Sequence, residues 1–150
     1  MNDVNATHLW LILSRASRAV GQNAINSVSG LGLGMSDFAV LEVLLHKGPL
    51  PVSVIGRKVL LTSGSITTAV DRLEAKGLVR RKPDAVDLRS RIVELTDRGR
   101  GLIEKAFRQH SRDMEETMAV LRPGERTELV RLLKKVGLWA AARAEDRSAL

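Results

Sequence analysis

Apolar residues recur along this chain at two different periods. Between residues 6 and 31, Leu9, Leu13, Ala16, Val20, Ala24 and Val28 fall on one helical stripe, with Arg15, Arg18, Gln22 and Asn26 mostly elsewhere. Trp10, Leu11 and Ile12 widen that apolar surface beyond what one core face needs. Gly30, Gly32 and Gly34 end the helix in a tight connection. Ser36 is placed to cap a second helix, whose Phe38, Leu41 and Leu45 make a narrow inner stripe before Gly48 and Pro49 close it. Residues 50–60 are the least periodic and predict a short helix centred on Val54 to Lys58. Gly56 lowers its intrinsic propensity, so packing must hold it.

Residues 61–82 organise the rest. Leu61 and Thr62 read as a helix start, with the Thr62 hydroxyl as cap, and Ile66, Ala69, Val70 and Leu73 then recur at helical spacing. Gly77 follows as the C-cap. Short helix, brief turn and second amphipathic helix is the spacing of a helix-turn-helix. Beyond Gly77 the period drops to two, which predicts a hairpin with arms near 78–83 and 89–95 around a PDAVDL loop. Thr96 caps a long helix reaching about Leu121, with Ile103, Phe107, His110, Met114, Thr117 and Leu121 as its inward seam. Pro123 and Glu125 begin a final helix carrying Leu129, Leu132, Leu133, Val136 and Ala140 on one side, and the polar tail from Glu145 is expected to fray. The fold expected is mainly α with a small β-hairpin wing.

Composition adds to this picture chiefly through charge. The chain has 150 residues and a formal net charge of +7. Residues 1–50 carry three basic and three acidic groups, residues 51–100 eleven and six, and residues 101–150 ten and eight. The excess of +5 in the middle third surrounds the 61–82 unit and is an electrostatic footprint for an anionic partner. The helix face left by the apolar stripe is small, hydroxyl-rich and basic, with Ser65, Thr67, Thr68 and Arg72 on it. Such a face suits the major groove of DNA, where hydroxyls and guanidinium reach base edges and phosphates. An ordinary solvated helix would carry the same residues, so this stretch alone leaves both readings open. The basic rim of the hairpin, Arg80, Arg81, Lys82, Arg89 and Arg91, fits a wing laid over the backbone or into the minor groove. Asp87, two residues from Arg89, is expected to orient that guanidinium across the loop.

Other chemistry is thin. There is no cysteine, and His8, His46 and His110 stand far apart without a metal-ligand or nucleophile motif, so no metal or cofactor is expected and an enzyme is the weakest reading. No apolar run approaches the length of a membrane span, and the N-terminus lacks a basic prefix and cleavage site, which implies a cytoplasmic protein.

The run from Leu61 through VDRLEAKGLVRR to DLRSRIVELTDRG resembles the MarR family of bacterial transcriptional regulators, over roughly residues 8–140. Asp87, Arg89, Leu95, Thr96 and Gly99 match the family's wing signature and the helix start after it. The resemblance implies one winged helix-turn-helix domain over residues 6–140, with a DNA-binding lobe at 36–98 and dimerisation helices at 6–31 and 97–143. It implies a homodimer on a palindromic double-stranded operator, with Ser63, Ser65, Thr67, Thr68 and Arg72 toward the major groove and Arg89 toward the minor groove. It further implies a repressor released by a small, often aromatic or phenolic ligand. The large side chains of the elements concerned are Trp10, Leu13, Phe38, Phe107 and Met114, with His8, Arg15 and His46 as polar candidates. Three departures stand out. Thr68 takes a position where relatives often have Arg, Leu88 replaces an Arg common between the wing Asp and Arg, and Arg122 stands where a capping Ser is common. The LTSGSIT form of the helix start resembles a subgroup that includes sensors of quinones and oxidants, although without cysteine no thiol chemistry is open to this chain. The alternative is a winged-helix module for protein contact with no DNA site of its own.

Overall fold

The computed structural model describes residues 4–59 and 63–148, with the backbone alone at Ser63, Arg147 and Ser148. The chain divides into two compact units, one ending at Met114 and one beginning at Glu115.

In the first unit, α1 (Ala6–Gly30) is capped by Asn5, whose side-chain oxygen accepts from the His8 amide at 2.8 Å. Of its whole apolar stripe only Val28 is buried. After Gly32, whose φ of 76° needs a glycine, α2 (Met35–Lys47) is entered from Gly34, two residues before the cap that the sequence suggests. Ser36 is therefore not the cap. It lies in the first turn, where its hydroxyl accepts from Arg72 at 3.4 Å. The inner face of α2 is also wider than the predicted stripe, since Val40 and Leu44 are buried along with Phe38 and Leu41. The reason is its central place: α1, α3, α4 and β3 all pack on it.

A two-residue strand, β1 (Leu50–Pro51), leads into α3 (Val52–Val59), then α4 (Ser63–Ala75), β2 (Val79–Pro83), β3 (Arg91–Leu95) and α5 (Asp97–Thr117). Thr62, the expected cap of α4, lies outside the described residues. The sheet is antiparallel in the order β1-β3-β2, with Leu50 opposite Val93 and Arg81 also opposite Val93 across the other edge. Two residues show no alternation, so β1 left no sequence signal, and Pro51 is tolerated because it lies on an edge. The core gathers Phe38, Leu41, Leu44, Ile55, Ile66, Leu73, Val93 and Ile103.

The second unit begins in the last turn of α5, which stops at Thr117 and not near Leu121. Arg126 explains the early stop: its guanidinium donates to the carbonyls of Met118 at 3.0 Å and Leu121 at 3.3 Å and pairs with Glu115. The final helix α6 (Pro123–Ser148) has Arg122 before it, and Glu125 supplies the reciprocal half of a capping box by accepting from the Arg122 amide at 2.8 Å. Helix continues through Ser148, so the residues from Glu145 do not leave it. None of its described side chains is buried.

Candidate nucleic-acid interface

The stripe read from α4 is its buried face, with Ile66, Ala69, Val70 and Leu73 all at most 2% exposed. Periodicity then leaves Gly64, Ser65, Thr67 and Thr68 on the outer face, all exposed. The Thr68 hydroxyl donates to the Gly64 carbonyl at 3.0 Å, so its oxygen lone pairs are what it can offer outward. The side chain of Ser63 lies outside the described residues.

Arg72 is not simply an outward cation. Its Nε donates to both oxygens of Asp37 at 3.0 Å and its Nη2 donates to Oδ1, while Lys76 approaches the same carboxylate at 3.6 Å. Asp37 is 2% exposed, and its hydrogen bonds hold the Arg72 guanidinium's pKa above its ordinary value. The first turn of α2 therefore fixes the azimuth and reach of α4. Ser36, Gly64, Ser65, Thr68 and Arg72 line one shallow recess on the outer side of this contact. Sequence reasoning missed Asp37, because an acidic residue in a first turn is commonplace and its partner lies 35 positions away.

The wing is likewise tied to α4. Arg81 donates its guanidinium to Asp71 and Glu74, and its backbone N–H to Glu74 at 3.1 Å. On the other side Arg80 and Lys82 share Glu94, and the Lys82 and Arg80 hydrogen bonds hold that carboxyl below the ordinary glutamate range. Three of the five cations expected as a DNA rim thus meet three carboxylates at the stem. Arg89 and Arg91, nearer the tip, are exposed and have no carboxylate partner among the described residues, as do Arg57 and Lys58 in the last turn of α3, which the sequence reading passed over. Asp87 does not orient the Arg89 guanidinium. Its Oδ1 accepts the Arg89 backbone N–H at 3.0 Å, a two-residue side-chain turn that sets the loop instead.

Behind the interface, the start of α5 is fastened to the end of α4. Gly77 takes φ 67° as the C-cap, and the Thr96 hydroxyl donates to its carbonyl at 2.7 Å while accepting from the Gly99 amide at 3.0 Å. Arg98 donates to the Lys76 carbonyl at 3.2 Å. Gly99 lies so close to Leu78 that a Cβ would stand 1.9 Å from its carbonyl oxygen. Thr96, Arg98 and Gly99 therefore form one joint with the turn from Lys76 to Leu78.

The residues considered for a ligand divide into two groups. His46 packs edge-on against Phe107 at 4.7 Å between ring centroids, and Phe38 against His110 at 4.9 Å. His110 Nδ1 lies 3.1 Å from the Ser27 hydroxyl, which donates to Asp113. Hydrogen bonds from Ser27 and then Gln109 hold the Asp113 carboxyl below its ordinary value. Phe38 is itself enclosed in the core. Trp10, 62% exposed, and Arg15 share no ring contact, hydrogen bond or ion pair with this cluster. Among the described residues no three His, Asp or Glu side chains are placed to hold a metal ion, and no single helix is long and apolar enough to cross a membrane.

Comparison with known proteins matches a MarR family profile to residues 31–90, the segment from α2 through the first arm and loop of the wing. The HTH-type transcriptional regulator MhqR of Bacillus subtilis is 41% identical over 132 residues, covering 88% of this chain and 91% of its own. Among solved structures, mutant MarR from Escherichia coli complexed with operator DNA superposes with a TM-score of 0.78 at 25% identity, over 91% of this chain and 99% of that one. Bordetella bronchiseptica BpsR, whose DNA binding is regulated by 6-hydroxynicotinic acid, superposes with a TM-score of 0.76 at 25% identity, over 86% and 98%. With the helix-turn-helix, the wing and the joint behind them all accounted for, this chain belongs to the MarR family and is a winged helix-turn-helix, DNA-binding transcriptional regulator.

Proposed function

We propose that this regulator is a homodimeric repressor that occupies an inverted-repeat operator and leaves it when a small aromatic ligand binds. The observation that carries the reading is the rigid seating of α4. Asp37 holds it from α2, Arg81 ties it to the wing, and the Gly99 joint ties it to α5, while its hydroxyl-bearing face is exposed to solvent. A preorganised reading head of this kind spends little binding free energy on ordering itself. In this reading the lobe over residues 36–98 places Ser63, Ser65, Thr67 and Thr68 in the major groove and Arg89 in the minor groove. Arg72 serves as a held cation at the edge of that face. Residues 6–31 and 97–143 supply the dimer helices.

A two-fold protein should protect two half-sites about one helical turn apart, roughly 34–36 Å. Footprinting on DNA selected from a random pool tests this, and a single unrepeated half-site would count against the dimeric reading. For the effector, the paired rings of His46 and Phe107 and the polar Ser27–His110–Asp113 group support an aromatic compound carrying a hydrogen-bonding group such as a phenolic hydroxyl. The relation to BpsR supports the same class. The test is a thermal-shift screen of hydroxynicotinic, phenolic and salicylate-type acids and quinones, followed by displacement of labelled operator. By linkage, a true effector weakens operator binding by the factor that operator weakens its own. Compounds that stabilise the protein and leave operator affinity unchanged would remove the effector from this reading.

A further inference from the structure

The tip of the wing carries two apolar side chains in full view of solvent: Val86 is 95% exposed and Leu88 81%. Single exposed apolar residues are ordinary, but this pair stands on a constrained loop. Asp84 donates its amide to the Ser90 carbonyl at 3.3 Å, and Ser90 donates to the Asp87 carbonyl at 2.9 Å. The Asp84 and Asp87 carboxylates accept from the amides of Val86 and Arg89 at 2.9 and 3.0 Å. Arg81 fastens the stem of the hairpin to Asp71 and Glu74 of α4, so the tip is presented in fixed relation to the recognition helix. At the stem Arg80, Arg81 and Lys82 are already met by Glu94, Asp71 and Glu74, which leaves little cationic charge there for a phosphate backbone. What the wing offers outward is Leu88 beside Arg89, a cation without a carboxylate partner among the described residues.

We propose that Leu88, with Val86 in support, is a specificity-determining contact that packs against the floor and sugar walls of the minor groove next to Arg89. The partner is double-stranded DNA because the tip's carboxylates, Asp84 and Asp87, are turned to backbone amides and leave the Arg89 and Arg91 guanidinium groups to face an anionic surface, and because the minor groove accepts apolar side chains alongside Arg. The contact has a preferred sequence. A·T pairs show only acceptors on the minor-groove floor, whereas G·C adds the guanine amino donor, which an apolar side chain would desolvate without a hydrogen bond. Leu88 therefore selects A·T pairs at the two wing positions flanking the operator. This rests on the operator-binding reading above.

The experiment measures operator affinity at several salt concentrations for the full-length wild type, Leu88→Ser and Arg89→Ala, on operators with A·T or G·C at the flanks. Unfolding midpoints serve as controls, and both substitutions lie on an exposed loop. Leu88→Ser should lose roughly tenfold in affinity with no change in salt slope, since an apolar contact releases no counterion, whereas Arg89→Ala should flatten the slope by about one. The wild type should prefer A·T flanks severalfold, and Leu88→Ser should lose that preference. A wild type that binds its operator while Leu88→Ser keeps both affinity and flank preference overturns the wing contact alone. So does a Leu88→Ser protein altered only in oligomeric state, which would make the tip a protein contact. A wild type that retains no duplex at any salt overturns the operator reading itself, and the wing contact with it.

Discussion

At the scale of single residues, two small groups decide where the reading head points. Asp37 is a buried carboxylate whose partners are Arg72 of α4 and Lys76 in the turn just past its end. Removing it leaves two cations that can still reach water, so the loss is that of charge-assisted hydrogen bonds and not of a fully buried pair. Asp37→Ala should destabilise the protein by about 1–3 kcal/mol in denaturant unfolding. It should also weaken operator binding, because Arg72 and the start of α4 lose their fixed azimuth. Unchanged stability would mean that the Asp37–Arg72 contact contributes nothing to seating the helix. Gly99 acts by what it lacks. A methyl group there would stand 1.9 Å from the Leu78 carbonyl oxygen, a backbone atom that cannot swing aside. Gly99→Ala should cost about 3 kcal/mol, at the upper end for overpacking, and an unaltered unfolding midpoint would show that the joint is loose.

At the scale of elements, the wing is a hairpin whose stem is neutralised by its own carboxylates and whose tip is set by side-chain turns. Asp87→Asn keeps an oxygen able to accept the Arg89 amide, and Asp87→Ala does not. The Asn variant should therefore bind operator like wild type while the Ala variant binds more weakly. Equal losses in both would return the role to the negative charge. Glu94 makes the stem sensitive to acid. Its carboxyl lies below its ordinary 4.5 because Lys82 and Arg80 hydrogen-bond it, so its contribution is present above that value and lost as pH falls through the depressed one. The difference in melting temperature between wild type and Glu94→Gln should be constant from neutral pH to about 4.5 and shrink below it. The helices and the hairpin arms were legible in the sequence because their signals are local: stripes such as Ile66 to Leu73, stops such as Gly77, a cap such as Thr96. What was not legible depends on partners distant in sequence. Ser36 forgoes capping to face Arg72, Arg126 ends α5 early, and Arg81 turns from a supposed DNA cation into a tie, each because of a residue that periodicity cannot bring near.

At the scale of the molecule, each unit leaves an apolar face uncovered. The first exposes Leu9, Trp10, Ile12 and Ile25 of α1, and the second exposes Leu129, Val130, Leu132, Leu133, Val136 and Trp139 of α6. Patches of this kind exceed the scattered apolar exposure of a monomer and suit an obligate interface, which resembles a core cut in half. If a second copy covers them, folding and association are one equilibrium, and stability must depend on protein concentration. The melting temperature should rise with each tenfold increase in concentration, and truncation of residues 1–20 should leave aggregated or unfolded protein. The two tryptophans report on the same event from both faces, since Trp10 and Trp139 are 62% and 68% exposed in the single chain and are the only tryptophans in it. Their emission in the native protein should lie well to the blue of a solvated indole and move red only as the protein unfolds, with no folded, red-emitting species on dilution. A melting temperature independent of concentration, together with red native emission, would identify a stable monomer and leave both faces for some other partner.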